Sequence, residues 1–158
     1  MARLHETLHT SLPVEQAFAF VADFANSQRW DPGVAWSRGL TAGPPKIGST
    51  YELGVRMGRG VAPMEYKVTQ LEPNALVILT GRGKNVSAVD EIRFEGTPDG
   101  TRIDYTADIE LTGVLRLAAP FAGRAFASIG RNARDGMQRT LDGMAASNMA
   151  GADAEAAA

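Results

Sequence analysis

The chain has 158 residues, of which 44% are hydrophobic and 22% charged, with a formal net charge of −2. That length suits one domain with a sizeable core, and the composition is ordinary for a soluble globular protein. Cysteine is absent, which excludes disulfides, thiolate nucleophiles and Cys-ligated zinc; arginines and acids alternate along the chain, so no nucleic-acid footprint and no polybasic membrane patch is expected.

Residues 4–12 alternate, with Leu4, Leu8 and Leu12 on one face and His5, Thr7, His9 and Ser11 on the other, the signature of a strand. Glu6 shares the parity of the leucines and is expected near a sheet end. His5 and His9 lie about 13 Å apart at roughly 3.3 Å per residue, too far for one metal ion. With no other histidine present, a Ser-His-Asp triad, a facial iron triad and an HExxH zinc site have no support. No metal and no cofactor is therefore expected. The first residues contain no hydrophobic signal core, and no run of eighteen apolar residues occurs, so stable membrane insertion is not expected and a cytoplasmic location is.

Ser11-Leu12-Pro13 opens a helix with Pro13 near its first position, Glu15 in its first turn, and Val14, Ala17, Phe18, Val21 and Ala22 at helical spacing. Asp23 to Trp30 reads as a second short helix stopped by Asp31-Pro32-Gly33, with Trp30 packing as a lid. Six strands follow, at 34–40, 49–57, 63–72, 75–82, 86–95 and 101–111, with turn chemistry at Glu72-Pro73-Asn74 and Thr97-Pro98-Asp99-Gly100. The last strand sets Ile103, Tyr105, Ala107, Ile109 and Leu111 against Arg102, Asp104, Thr106, Asp108 and Glu110. One face of this antiparallel sheet is dry and one wet.

Residues 113–148 are predicted as one long helix whose stripe holds Leu115, Ala118, Ala119, Ala122, Phe126, Ile129, Ala133, Met137 and Met144. Pro120 must kink it or mark its true start. Such a stripe has to be covered by the sheet, and a curved sheet around one helix leaves a hollow between them. The small residues Ala118, Ala119, Ala122 and Ala125, flanked by Gly123, Gly130, Gly136 and Gly143, either permit close backbone approach or leave room for a ligand. Residues 149–158 hold no large apolar group and are expected to form a disordered tail after a single domain spanning 1–148.

The order strand, two helices, six strands, long helix, together with Leu12-Pro13-Val14-Glu15-Gln16-Ala17-Phe18, Trp30-Asp31-Pro32, Tyr66-Lys67-Val68, Leu71-Glu72-Pro73 and Gly100-Thr101-Arg102-Ile103, resembles the START-like (Bet v 1-like) superfamily and its SRPBCC, polyketide cyclase/dehydrase branch. The resemblance implies an α+β helix-grip fold, a seven-stranded antiparallel sheet curved around the C-terminal helix with a ligand tunnel between them. It also implies a lipid, sterol, polyketide, hormone or aromatic ligand, with only some members being enzymes.

Strand parity supplies the predicted wall: Trp36 from the second strand, Tyr51, Val55 and Met57 from the third, Met64 and Tyr66 from the fourth, Ala88, Asp90 and Ile92 from the sixth, Tyr105 and Ile109 from the last. Ala118, Ala122, Phe126 and Ile129 face them from the helix. This is a pocket for a small hydrophobic molecule with one or two polar groups. An inward Asp90 must be neutral or paired, and if burial raises its pKa it suits general acid/base work on a carbonyl; otherwise it pairs with a nearby base. The tyrosines either hydrogen-bond a ligand or serve the core. Arg56 and Arg59 sit in a Gly-rich hairpin, not a phosphate cradle, because no helix follows. Three readings result: a binding protein, a cyclase, dehydratase or aromatase using Asp90 and the tyrosines, and a regulatory module with a filled hollow.

Overall fold

The computed structural model describes residues 1–157; Ala158, the last residue of the expected tail, lies outside the described residues. Its strands are β1 (Ala2–Thr10), β2 (Val34–Gly39), β3 (Thr50–Met57), β4 (Gly60–Glu72), β5 (Leu76–Arg82), β6 (Val86–Thr97) and β7 (Gly100–Leu111). They form one antiparallel, curled sheet in the order β1-β7-β6-β5-β4-β3-β2. Each turn joins sheet neighbours except the link from β1 to β2, which carries the chain from one edge to the other through α1 (Val14–Val21), a 3₁₀ turn (Phe24–Asn26) and α2 (Ser27–Trp30). Pro13 serves as the N-cap of α1 rather than its first helical residue, its φ of −57° already set for the turn. β1 ends at Thr10, two residues before the predicted limit, because Leu12 leaves the strand to lie fully buried at the entry to α1.

Alternation is clear through most of β6. Val86, Ala88, Asp90, Ile92 and Phe94 are buried, while Val89 and Arg93 are exposed. The wet face of β1 and β7 is tied by polar pairs: Arg3 to Asp108 at 2.7 Å, Thr7 to Asp104 at 2.6 Å and His5 to Thr106 at 2.9 Å.

Two expectations for the C-terminal region change. Residues 113–121 form a 3₁₀ segment (Gly113–Phe121) with no buried residue, and the α-helix α3 runs from Gly123 to Ala157. Pro120 lies in the 3₁₀ turn just before the α-helix, where its missing N–H breaks no α-helical hydrogen bond. Three residues per turn shift the phase of everything before Gly123, so Ala118 is exposed rather than inward. The buried stripe of α3 is Gly130, Ala133, Gly136, Met137, Leu141 and Ala145. Beyond it the chain stays helical through Ala157 but exposed, consistent with the high helix propensity of its alanines.

α3 lies along β1 and against the short helices. Arg134 Nη1 donates to Glu6 at 3.0 Å, and Thr140 Oγ1 donates to the Arg29 carbonyl at 3.0 Å. Gly136 fixes the approach to α2: a Cβ there would run into the Trp30 carbonyl oxygen. Of the two uses for small residues on this helix, close approach holds at Gly136, while Gly130 and Ala133 border an open space.

Candidate functional site

Between the sheet, the short helices and α3 is a cavity of about 100 Å³. Its floor is Tyr66, Ala88, Asp90, Tyr105 and Ala107 from the middle of the sheet; Ser27, Trp30 and Asp31 form one side, and Ile129, Gly130 and Ala133 of α3 the other. Leu4 and Ile109 also border a second pocket of about 310 Å³, bounded by Ala119, Pro120, Gly123 and Phe126, where the 3₁₀ segment meets α3. The two spaces therefore share a wall and lie in line along the helix.

Asp90 is the centre of the inner space. It sits opposite Ala107 in the β6–β7 register, which makes Tyr105, two residues along β7, its diagonal neighbour on the same face. Tyr105 Oη donates to Asp90 Oδ1 at 2.5 Å. Tyr66 approaches from β4, two strands away, because its ring lies over Gly81 of the intervening β5. Asp90 is 4% exposed. Burial pushes its carboxyl up to about 7, with the Tyr105 hydrogen bond pulling the other way and Asp31 adding to the rise. Asp31, at the rim, is pushed up to about 6 by burial, offset in part by the Gly33 N–H it accepts at 2.7 Å. Burial and the neighbouring Asp90 carboxyl raise both Tyr66 and Tyr105 well above the ordinary phenol range. All four groups are thus held toward their neutral forms.

Three buried side-chain atoms lack a hydrogen-bond partner among the described residues: Ser27 Oγ, Trp30 Nε1 and Asp90 Oδ2. All three residues line the inner cavity. An unpaired buried polar group costs about 1–3 kcal/mol, so three such groups on residues that line one space make it the candidate site for polar contact. Around them the wall is apolar and aromatic, with Trp30 and Tyr105 edge to face at 6.1 Å and Phe24 beside Tyr66 at 5.4 Å. Among the described residues no group of three potential metal ligands occurs.

Of the residues predicted to line the hollow, Val55, Tyr66, Ala88, Asp90, Tyr105, Ile109 and Ile129 border the inner cavity. Phe126 borders the outer one. Tyr51, Met64 and Ile92 are buried in the core without reaching either space, and Met57 is partly buried against that core. Burial raises the Tyr51 phenol to about 12, with Asp23 adding to it. Ala122 is half-buried and borders neither space, and Ala118 is exposed. Trp36 is a correction: it lies exposed on the outer face, its indole covering Gly54, with Arg38 over its ring. A register break between Val34 and Trp36 moves it there, since one extra residue reverses the side of everything after it.

Ser27, Trp30 and Asp31 escaped the parity count because they lie on helix and turn, where alternation gives no direction. The turn Trp30-Asp31-Pro32-Gly33 was the available signal. Arg56 belongs to the cavity rim, where its Nε donates to the Pro32 carbonyl at 3.2 Å.

The family model described as polyketide cyclase / dehydrase and lipid transport matches residues 1–147. No curated protein matches the chain by sequence. Among solved structures, an aromatase/cyclase (Zhui) from Streptomyces sp. R1128 superposes with a TM-score of 0.71 at 13% identity, covering 90% of this chain and 92% of that one. A START superfamily protein from Mycobacterium smegmatis gives 0.68 at 16% identity, covering 91% and 97%. A protein from Thermus thermophilus gives 0.72 at 12% identity, covering 92% and 99%. At such identities the likeness establishes the helix-grip fold alone.

Proposed function

Because the chain belongs to the polyketide cyclase/dehydrase and lipid transport family, we propose that it holds a small, largely apolar molecule with one polar end between the sheet and α3. The observation that carries this reading is that Ser27, Trp30 and Asp90, each with a buried polar atom that has no partner among the described residues, all line one cavity. A ligand oxygen accepts from the Trp30 N–H, and a ligand hydroxyl exchanges hydrogen bonds with Ser27 and Asp90. A cavity of about 100 Å³ takes only that polar end. The apolar body extends past Leu4 and Ile109 into the outer pocket. The ligand is uncharged at its inner end, because Asp90 and Asp31 there are held toward their neutral forms and offer no fixed charge to pair with.

Extraction of the purified protein and mass spectrometry of the extract, followed by displacement of a fluorescent apolar probe, tests the reading. Ala88→Leu fills the floor of the cavity and should abolish displacement while the fold persists. Probe binding that is equal in the wild type and this variant would refute it.

A second reading is supported by Asp90 and Tyr105. A carboxyl held near pH 7 and hydrogen-bonded to a phenol can take a proton from one carbon of a carbonyl substrate and return it to a departing oxygen, as cyclisation with dehydration requires. Turnover of a poly-carbonyl substrate lost in Asp90→Asn, with ligand affinity kept, supports catalysis; turnover unchanged in the variant eliminates it.

A further inference from the structure

The geometry points to a membrane-docking face at the end of the molecule where the outer pocket opens, with an anionic bilayer surface as its partner. The 3₁₀ segment Gly113–Phe121 buries none of its residues; Val114, Leu117 and Phe121 are 75%, 82% and 88% exposed. Three large apolar side chains protruding within eight residues are not scattered surface hydrophobes. They project outward rather than forming a groove, so they suit a fluid apolar layer better than the shaped surface of another protein.

The charge around them is one-sided. Residues 111–134 contain Arg116, Arg124, Arg131 and Arg134 and no acid, in a chain whose net charge is −2. Arg134 is engaged by Glu6 and Asp135, whereas Arg116, Arg124 and Arg131 are exposed and in no ion pair among the described residues. The sheet order adds to this. β3, β5 and β7 all finish at the same end, so the hairpin turns bearing Arg59 and Lys84 lie at this end of the sheet; the second adjoins the segment, with Thr112 N–H bonding the Asn85 carbonyl at 2.8 Å. Val61, at the start of β4, is exposed there too. Glu110 is the acid beside this end, and Asp108 is taken up by Arg3 at 2.7 Å. The averaged charge that argues against a basic patch in the sequence conceals a cationic, apolar tip.

A segment with protruding apolar groups and flanking arginines binds in the headgroup region by burial plus attraction to anionic lipid. Ala119 and Pro120 of this segment wall the outer pocket, so docking brings that opening against the bilayer. The inference goes beyond the proposed ligand site and rests on exposed surface, so the two fail separately: probe displacement in solution reads the cavity, and vesicle binding reads this face.

The test is co-sedimentation of the full chain with vesicles of phosphatidylcholine alone and of phosphatidylcholine with one-third phosphatidylglycerol. Binding is expected at least about tenfold stronger to the anionic vesicles, falling as salt rises to roughly 0.5 M. Leu117→Asp with Phe121→Asp, and separately Arg116→Glu with Arg124→Glu, should each weaken it by about tenfold or more without changing the melting temperature. Because all four side chains are exposed, loss of fold is not expected; circular dichroism checks it, and Leu117→Ser with Phe121→Ser provides a milder pair that should lie between. Equal sedimentation with both vesicle types, or unchanged binding in both double variants, overturns the proposal. Salt-sensitive binding to poly-L-glutamate without vesicle binding would assign the face to an acidic protein and likewise overturn it.

Discussion

The ring of Tyr66 lies directly over Gly81, so close that a Cβ on residue 81 would overlap the ring carbons Cε1 and Cζ. Gly81 faces Tyr66 across the β4–β5 ladder and Ala88 across the β5–β6 ladder. Its bare backbone is the passage by which a β4 phenol comes near a β6 carboxyl.

Gly81→Ala should therefore destabilise the protein by about 1–3 kcal/mol, the cost of overpacking a buried site. Chemical denaturation reads this. Because the clash is with one ring, the loss should be non-additive with Tyr66→Leu, the double variant falling short of the sum of the singles. Additive effects would mean that the ring is not what occupies the space.

Two glycines of α3 should respond in opposite directions. A Cβ at Gly136 meets the Trp30 carbonyl, whereas a Cβ at Gly143 meets nothing within 4 Å. Gly143→Ala should stabilise by about 0.5–1 kcal/mol through helix propensity. Gly136→Ala has the same propensity gain but should lose net stability by about 1–3 kcal/mol, since α3 must shift off α2. Urea midpoints of the two variants provide the comparison.

Asp90 should make the folded state less stable as pH rises. Its carboxyl is raised from 3.8 to about 7, so between those values the native state holds a proton that the unfolded chain has released. Stability from this group is whole below pH 3.8 and is lost progressively up to about 7. Asp90→Asn should accordingly gain on the wild type between about pH 4 and pH 8, by an amount on the order of a few kcal/mol. Asp104 and Asp108, held below the usual range (Asp108 by its Arg3 hydrogen bond), pull the other way in both proteins and cancel in the difference. Paired urea titrations across that range measure it.

Ser27→Ala should separate folding from binding. The hydroxyl has no partner among the described residues, so removing it should leave stability unchanged or raise it by up to about 1 kcal/mol. Affinity for the extracted ligand should fall about three- to tenfold, the value of one hydrogen bond. A loss of stability with unchanged affinity would mean that Ser27 serves the fold.

Element order and the inward set of β6 and β7 were legible in the sequence because a strand alternates strictly and these two are unbroken. Asp90 and Tyr105 could be placed on one face by counting alone. Trp36 could not, since a bulge is a backbone event without a marker in Val34-Ala35-Trp36. The helix stripe failed at its start for a related reason: extrapolating about 100° per residue through Pro120 carries the α-helical phase into a segment wound at three residues per turn. From Ala133 to Met137 the phase is right. Ser27 joins the site only through the path of the chain across the sheet, which no local pattern encodes, whereas Trp30 and Asp31 stand at a turn whose chemistry is legible.

The break that turns Trp36 outward also shapes what the flank of the sheet offers to strangers. β2 is the outermost ribbon on that side, six residues long and out of step with β3 between Val34 and Trp36. A crooked border carrying Arg38 and a bulky indole presents no straight run of amides for a foreign strand to zip onto. The irregularity that misplaces one side chain thereby guards the molecule against fibrillar self-association along its open margin.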